Sequence, residues 1–194
     1  MLLVWPGIII LIAMGFFLLV RQQQPIVASR KPAGRLELPT LFTLEIGDIV
    51  QYLDTDWVVE GRLTYNDEGY TWLEYLLQDG DRLCWLSVEE DDQVEVSLLE
   101  PTHVLEVGSN PPQQLTFLGE SYQCVEFGTA RMTRIGTTRQ RSAEQCRYFD
   151  YKGSGERVLS IEDWSGEIEV TVGKQIPPSL LTILPGDGRT IYGI

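Results

Sequence analysis

Imidazoles, thiols and carboxylates are the usual starting points for chemistry in a chain, and here the first two are scarce. His103 is the only histidine among 194 residues, and Cys84, Cys124 and Cys146 are the only cysteines. One imidazole cannot build a two-histidine metal site or a histidine–carboxylate triad within one chain. There is no Cys-x-x-Cys pair, no Gly-x-Ser-x-Gly elbow and no Gly-x-x-x-x-Gly-Lys phosphate loop. Three widely spaced cysteines read as small buried apolar side chains, not as a disulfide framework. Carboxylates are abundant instead: 28 Asp and Glu against 15 Lys and Arg give a formal net charge of −13. That balance argues against a nucleic-acid partner, which would need a cationic face. The run Glu89-Glu90-Asp91-Asp92 lacks the alternating ligands and glycine of a calcium loop and reads as a solvated turn. No catalytic group, metal or cofactor is expected, and the chain reads as a non-enzyme.

The aromatics carry more information. Tyr70, Trp72, Glu74 and Leu76 fall on one face of a strand, and Trp85 follows the Asp79-Gly80 turn on the strand opposite. If that face is open, Trp72, Trp85 and Glu74 form a recognition patch. If it is closed, they form a tryptophan-rich core with Glu74 at its rim.

Positioning these groups falls to strands. Polar and apolar residues alternate strictly in Glu167-Ile168-Glu169-Val170-Thr171-Val172 and in Val94-Glu95-Val96-Ser97-Leu98, as in strands with one wet and one buried face. Further strands are expected over 47–53, 57–65, 70–78, 82–88, 121–127, 130–135, 145–151 and 157–162. Turn chemistry falls between them at Asn66–Gly69, Asp79-Gly80, Lys152–Gly155 and Ser165-Gly166. Leu86-Ser87-Val88-Glu89-Glu90 returns as Leu159-Ser160-Ile161-Glu162-Asp163, and Val94-Glu95-Val96-Ser97-Leu98 as Ile168-Glu169-Val170-Thr171-Val172. With Gly47-Asp48 and Gly119-Glu120 as openings, the pattern predicts a duplicated antiparallel β-meander, 44–108 and 117–184. Two such copies should pack as one pseudo-symmetric sandwich or barrel, joined through 107–112 and followed by a tail, 185–194. Residues 79–106 are strongly acidic and 131–157 mostly basic, a polarity suited to orienting a partner or to self-association.

The first twenty residues read differently. From Leu2 to Val20 there is no charged residue, and nineteen residues of helix span about 28 Å, close to a bilayer core. A single transmembrane helix over 1–20 is expected, followed by a basic tether, 21–43. Arg21, Arg30, Lys31 and Arg35 all follow the span, which places the C-terminal domain in the cytoplasm.

One family is met at this point. Leu44-Glu45-Ile46-Gly47-Asp48-Ile49-Val50, Trp57-Val58-Val59-Glu60-Gly61, Trp72-Leu73-Glu74-Tyr75-Leu76-Leu77 and Cys84-Trp85-Leu86, in that order, resemble the bacterial family called domain of unknown function 4178. Tyr148, Glu162, Trp164 and Gly166 extend the resemblance into the second copy. It implies no activity, and marks Trp72, Glu74, Trp85, Glu162 and Trp164 as shared structure or a shared binding site. The reading reached from sequence is a membrane-tethered, non-catalytic interaction module with another membrane-associated protein as partner. The alternatives are a β-barrel that binds a small ligand or lipid, and an enzyme working through Glu74 and Glu162 alone.

Overall fold

Strand alternation extends over most of the chain between residues 49 and 184. The computed structural model describes residues 38–138 and 144–192. Within them run β1 Ile49–Tyr52, β2 Thr55–Asp67, β3 Tyr70–Asp79, β4 Arg82–Glu90, β5 Val94–Pro101 and β6 Gln114–Phe117. They are followed by β7 Glu120–Gly136, β8 Gln145–Lys152, β9 Arg157–Trp164, β10 Glu167–Gln175 and β11 Leu181–Leu184. All named pairings are antiparallel. The order β2-β3-β4-β5-β10-β9-β8-β7 returns on itself, because Gly61–Asn66 of β2 pairs with Arg131–Gly136 of β7. Eight strands therefore close into a barrel, which leaves it no free sheet edge.

Closure rests on two long, bent strands. The first residues of β2 pair with β1 and the later ones with β7; the first residues of β7 pair with β6 and the last with β2. Each strand changes register once, between Val59 and Gly61 in β2 and between Cys124 and Glu126 in β7. A bulge bends a strand and turns its side chains over, and so lets one strand serve both the barrel and the flap outside it. Two strands expected at 121–127 and 130–135 are thus one. Gly128 reads as a break in sequence, but a Cβ there would collide with the Asp67 carboxylate and the Tyr148 hydroxyl. It is glycine for close approach, not for a turn.

The strand order β1-β2-β3-β4-β5 has a counterpart in β6-β7-β8-β9-β10. Leu53 in the β1–β2 turn and Leu118 in the β6–β7 turn both have positive φ, 53° and 50°. Gly119-Glu120 lies at the β6–β7 turn, whereas Gly47-Asp48 precedes β1. β11 has no counterpart and pairs with β1.

Three apolar clusters build the core. Cys84, Leu86, Val88 and Val96 pack outside the first half, under Leu44, β1 and β11. Phe149, Tyr151, Leu159 and Ile161 pack outside the second half, under β6 and the connecting segment with Leu105 and Val107. Leu63, Leu76, Trp85, Leu99, Met132 and Trp164 meet inside the barrel. The connection at 107–112 is tied down: Tyr151 donates to the Pro112 carbonyl at 2.8 Å and Arg147 to the Ser109 carbonyl at 2.9 Å. The expected tail is a strap. Asp48 accepts from the Gly186 amide at 2.8 Å, and buried Glu60 accepts from the amides of Ile191 and Tyr192 at 3.0 and 3.2 Å.

Two expectations are corrected. The predicted membrane span, residues 2–20, lies outside the described residues, and among the described residues no helix is long and apolar enough to cross a membrane. Among the described residues there is no element to carry the single-pass anchor or the cytoplasmic placement argued from it. The described fold is mainly β, a closed eight-stranded antiparallel barrel, so of the two expected packings the barrel is the one found, and the transmembrane helix expected ahead of it is not among the described residues.

Candidate functional site

Alternation along a barrel strand sends one set of side chains into the lumen and the other outward. In β4, Cys84, Leu86 and Val88 join the outer cluster, while Leu83 and Trp85 point inward and Ser87 and Glu89 face a cavity above them. In β5, Val96 and Leu98 point out, and Glu95, Ser97 and Leu99 in. Their repeats do the same: Leu159 and Ile161 are packed outside, with Ser160 on the cavity wall. The polar half of the alternation thus lines the interior, and the apolar half lies beneath the covering layers.

The lumen divides into a packed floor and a cavity. Leu63, Leu76, Trp85 and Leu99 form the floor, with Trp85 only 3% exposed. The cavity above has a volume of about 570 Å³ and reaches the end of the barrel where Asp91, Asp92 and Gln93 turn from β4 into β5. The acidic run read as a solvated turn is therefore its mouth. Deeper in, Trp72 of β3 stacks on Tyr65 of β2, ring centres 4.8 Å apart and planes parallel, and meets Tyr148 of β8 edge-on at 5.1 Å. Tyr70 tilts against Trp72 at 6.1 Å.

Carboxylates occupy the spaces between these rings. The Tyr65 hydroxyl donates to Glu74 Oε2 at 3.3 Å and also bonds Glu162, to which Trp164 Nε1 donates at 3.2 Å. Asp150 is bonded by Ser160. The Tyr148 hydroxyl donates to Asp67 at 2.9 Å and reaches Glu126 at 3.4 Å, and Tyr70 reaches Glu89 at 3.3 Å. At the mouth Gln175 donates to Glu95 at 2.8 Å, with Lys152 3.5 Å from the same carboxylate.

Depth sets the protonation of these acids. Burial, then the charges of Glu162 and Asp150, hold Glu74 well above the usual carboxylate range, against the hydrogen bond from Tyr65. Burial raises Glu162 to about 8, opposed by the bonds from Tyr65 and Trp164 and helped by Glu169 and Asp150. Asp150 rises to about 7, chiefly from burial, against its bond from Ser160. Burial raises Glu89 too. Burial therefore favours the protonated form of these deep acids. Burial also raises the thiols, Cys84 to about 12, which makes them poor nucleophiles.

All five residues singled out from sequence lie within the barrel, at different levels. Trp72 and Glu74 line the cavity, Glu162 and Trp164 stand bonded beside Glu74's partner Tyr65, and Trp85 lies in the floor. Trp85 pairs with Leu76, four residues beyond Trp72, so the two tryptophans do not make an open surface patch. Sequence reasoning missed Tyr65, Asp150 and Glu126, and met Tyr148 only as a carrier of the family resemblance. The usable signal was the repeat itself: Ser87 and Glu89 recur as Ser160 and Glu162, and Glu95 and Ser97 as Glu169 and Thr171, the polar inner wall of both halves. Among the described residues no three His, Cys, Asp or Glu side chains are placed to hold a metal ion.

Comparison with known proteins places this arrangement in a family. No solved structure matches the chain. An uncharacterised protein of Mycobacterium bovis is 32% identical over 147 residues, covering 72% of this chain and 70% of its own length. Two uncharacterised proteins of Mycobacterium tuberculosis match to the same extent. The family model for a domain of unknown function matches residues 45–178, a span that runs from the segment before β1 to the start of the 3-10 turn at Pro178–Leu180 and so takes in the whole barrel. The chain belongs to the domain of unknown function 4178 family.

Proposed function

We propose that this chain is a ligand-binding barrel that holds a small polar molecule in its lumen. One observation carries the reading: a cavity of about 570 Å³ inside a closed barrel, open at one end and walled by aromatic rings and hydrogen-bonding groups. That volume lies within the range of small-molecule sites, roughly 300–1,000 Å³, and eight-stranded barrels are wide enough for one such ligand. A lipid fits less well, because the rim and wall are rich in carboxylates. The protein-docking reading rested on the expected anchor, the acidic and electrically polar domain and the absence of catalytic groups; the Trp72 and Trp85 side chains through which it would have been tested point into the barrel.

The test is native mass spectrometry of the purified full chain, before and after unfolding and extraction. A stoichiometric small molecule released on unfolding supports the reading. Ser97→Phe places a ring in the cavity from a wall position and should abolish retention while the chain stays folded. Retention unchanged in that variant would refute binding in the lumen.

A further inference from the structure

The cavity wall is far from neutral. Among the described residues that line it, seven are carboxylic acids and one, Lys152, is a base. The acids stand at two depths. Glu74 and Asp150, with Glu162 beside them, lie deepest; Glu89, Glu95 and Asp91 lie toward the mouth. The deep three meet no cation among the described residues: their partners are the hydroxyls of Tyr65 and Ser160 and the Trp164 indole. Lys152 is already engaged, 3.5 Å from Glu95. Buried carboxylates without a counter-charge are costly, and a positive ligand group relieves that cost.

The wall between the two depths is aromatic. Trp72, stacked on Tyr65 and flanked edge-on by Tyr148, lines the path from the mouth to Glu74. Ring faces attract organic ammonium groups and also accept methylenes. A single ammonium can face the acids of only one depth, and among the described residues the carboxylates do not close on one metal ion. From this juxtaposition we infer that the lumen takes a linear organic amine carrying two or more ammonium groups. One ammonium sits at Glu74 and Asp150, the other among the mouth acids, and the carbon chain lies along Trp72. The inference rests on the ligand-barrel reading and names the class of its ligand.

Isothermal titration of the full chain at pH 7 tests it, with 1,8-diaminooctane, octane-1,8-diol, suberate and calcium chloride as probes. The diamine should bind at least about tenfold more tightly than the diol, and suberate should not bind. Asp150→Asn, and separately Glu95→Gln at the more exposed mouth, should each weaken the diamine by about tenfold. Titration in two buffers of different ionisation enthalpy should show protons released on diamine binding, because carboxyls held protonated by burial ionise against the ammonium. If the diol, suberate or calcium binds as well as the diamine, the ligand class is overturned while the ligand-barrel reading stands. If no probe binds and the purified chain releases no small molecule, both fall.

Discussion

Asp150 lies beside Ser160 in the cavity wall, and desolvation there raises its carboxyl from 3.8 to about 7. The folded state therefore binds a proton more tightly than the unfolded chain. Stability conferred by that proton is fully present below about pH 4 and is lost as pH rises through about 7. A rise of about three units corresponds to about 4 kcal/mol at most, and contact with the open cavity reduces this to about 2 kcal/mol. Asp150→Asn keeps the shape and cannot ionise. Near pH 4 it should match the parent chain, and at pH 8 it should be more stable by about 2 kcal/mol, or about 4–8 °C in Tm for a chain of this size. Glu162 and Glu74 carry shifts of the same sign, so the parent's decline continues to about pH 8 and the variant's is shallower. Thermal unfolding of both chains, followed by circular dichroism from pH 4 to 9, reads this directly. A variant less stable at every pH, or a difference that does not change with pH, would refute the argument.

Three other outcomes follow from the packing. Trp85→Ala opens the floor where Trp85 meets Leu76 and Leu99, and should cost about 3–5 kcal/mol in denaturant unfolding. Gly128→Ala puts a methyl against the Asp67 carboxylate and the Tyr148 ring and hydroxyl; it should destabilise by about 1–3 kcal/mol in denaturant unfolding. Glu60→Gln weakens the charge-assisted hold on the amides of Ile191 and Tyr192, so limited proteolysis should cut the strap beyond Gly186 faster while the barrel stays intact.

Strands and turns were legible because their signals are local. Asp79-Gly80, Ser165-Gly166 and the two alternating segments in β5 and β10 each specify their geometry within a few residues. The sense of the alternation was not. Period two says that Ser87 and Glu89 face away from Leu86 and Val88, but which face meets water depends on what covers the sheet. Here Leu44, β1 and β11 cover the apolar outside, so the polar side chains turn into the lumen. Asp150 and Tyr148 reach the cavity wall through the closure of the barrel by β2 and β7, which no local signal announces. The repeated segments read from sequence fall in β4 and β9 and in β5 and β10, with apolar residues outside and polar ones inside, while Gly47-Asp48 precedes β1 and Gly119-Glu120 lies at the β6–β7 turn.

The central claim is that the interior above the floor is a binding site and not an imperfectly filled core. A crystal structure of the full chain purified under gentle conditions and soaked with 1,8-diaminooctane tests this most directly. The account predicts continuous density along Trp72, running from Glu74 and Asp150 to the mouth at Asp91. A lumen closed by inward movement of Trp72 and Tyr148, with no density between them, would contradict it.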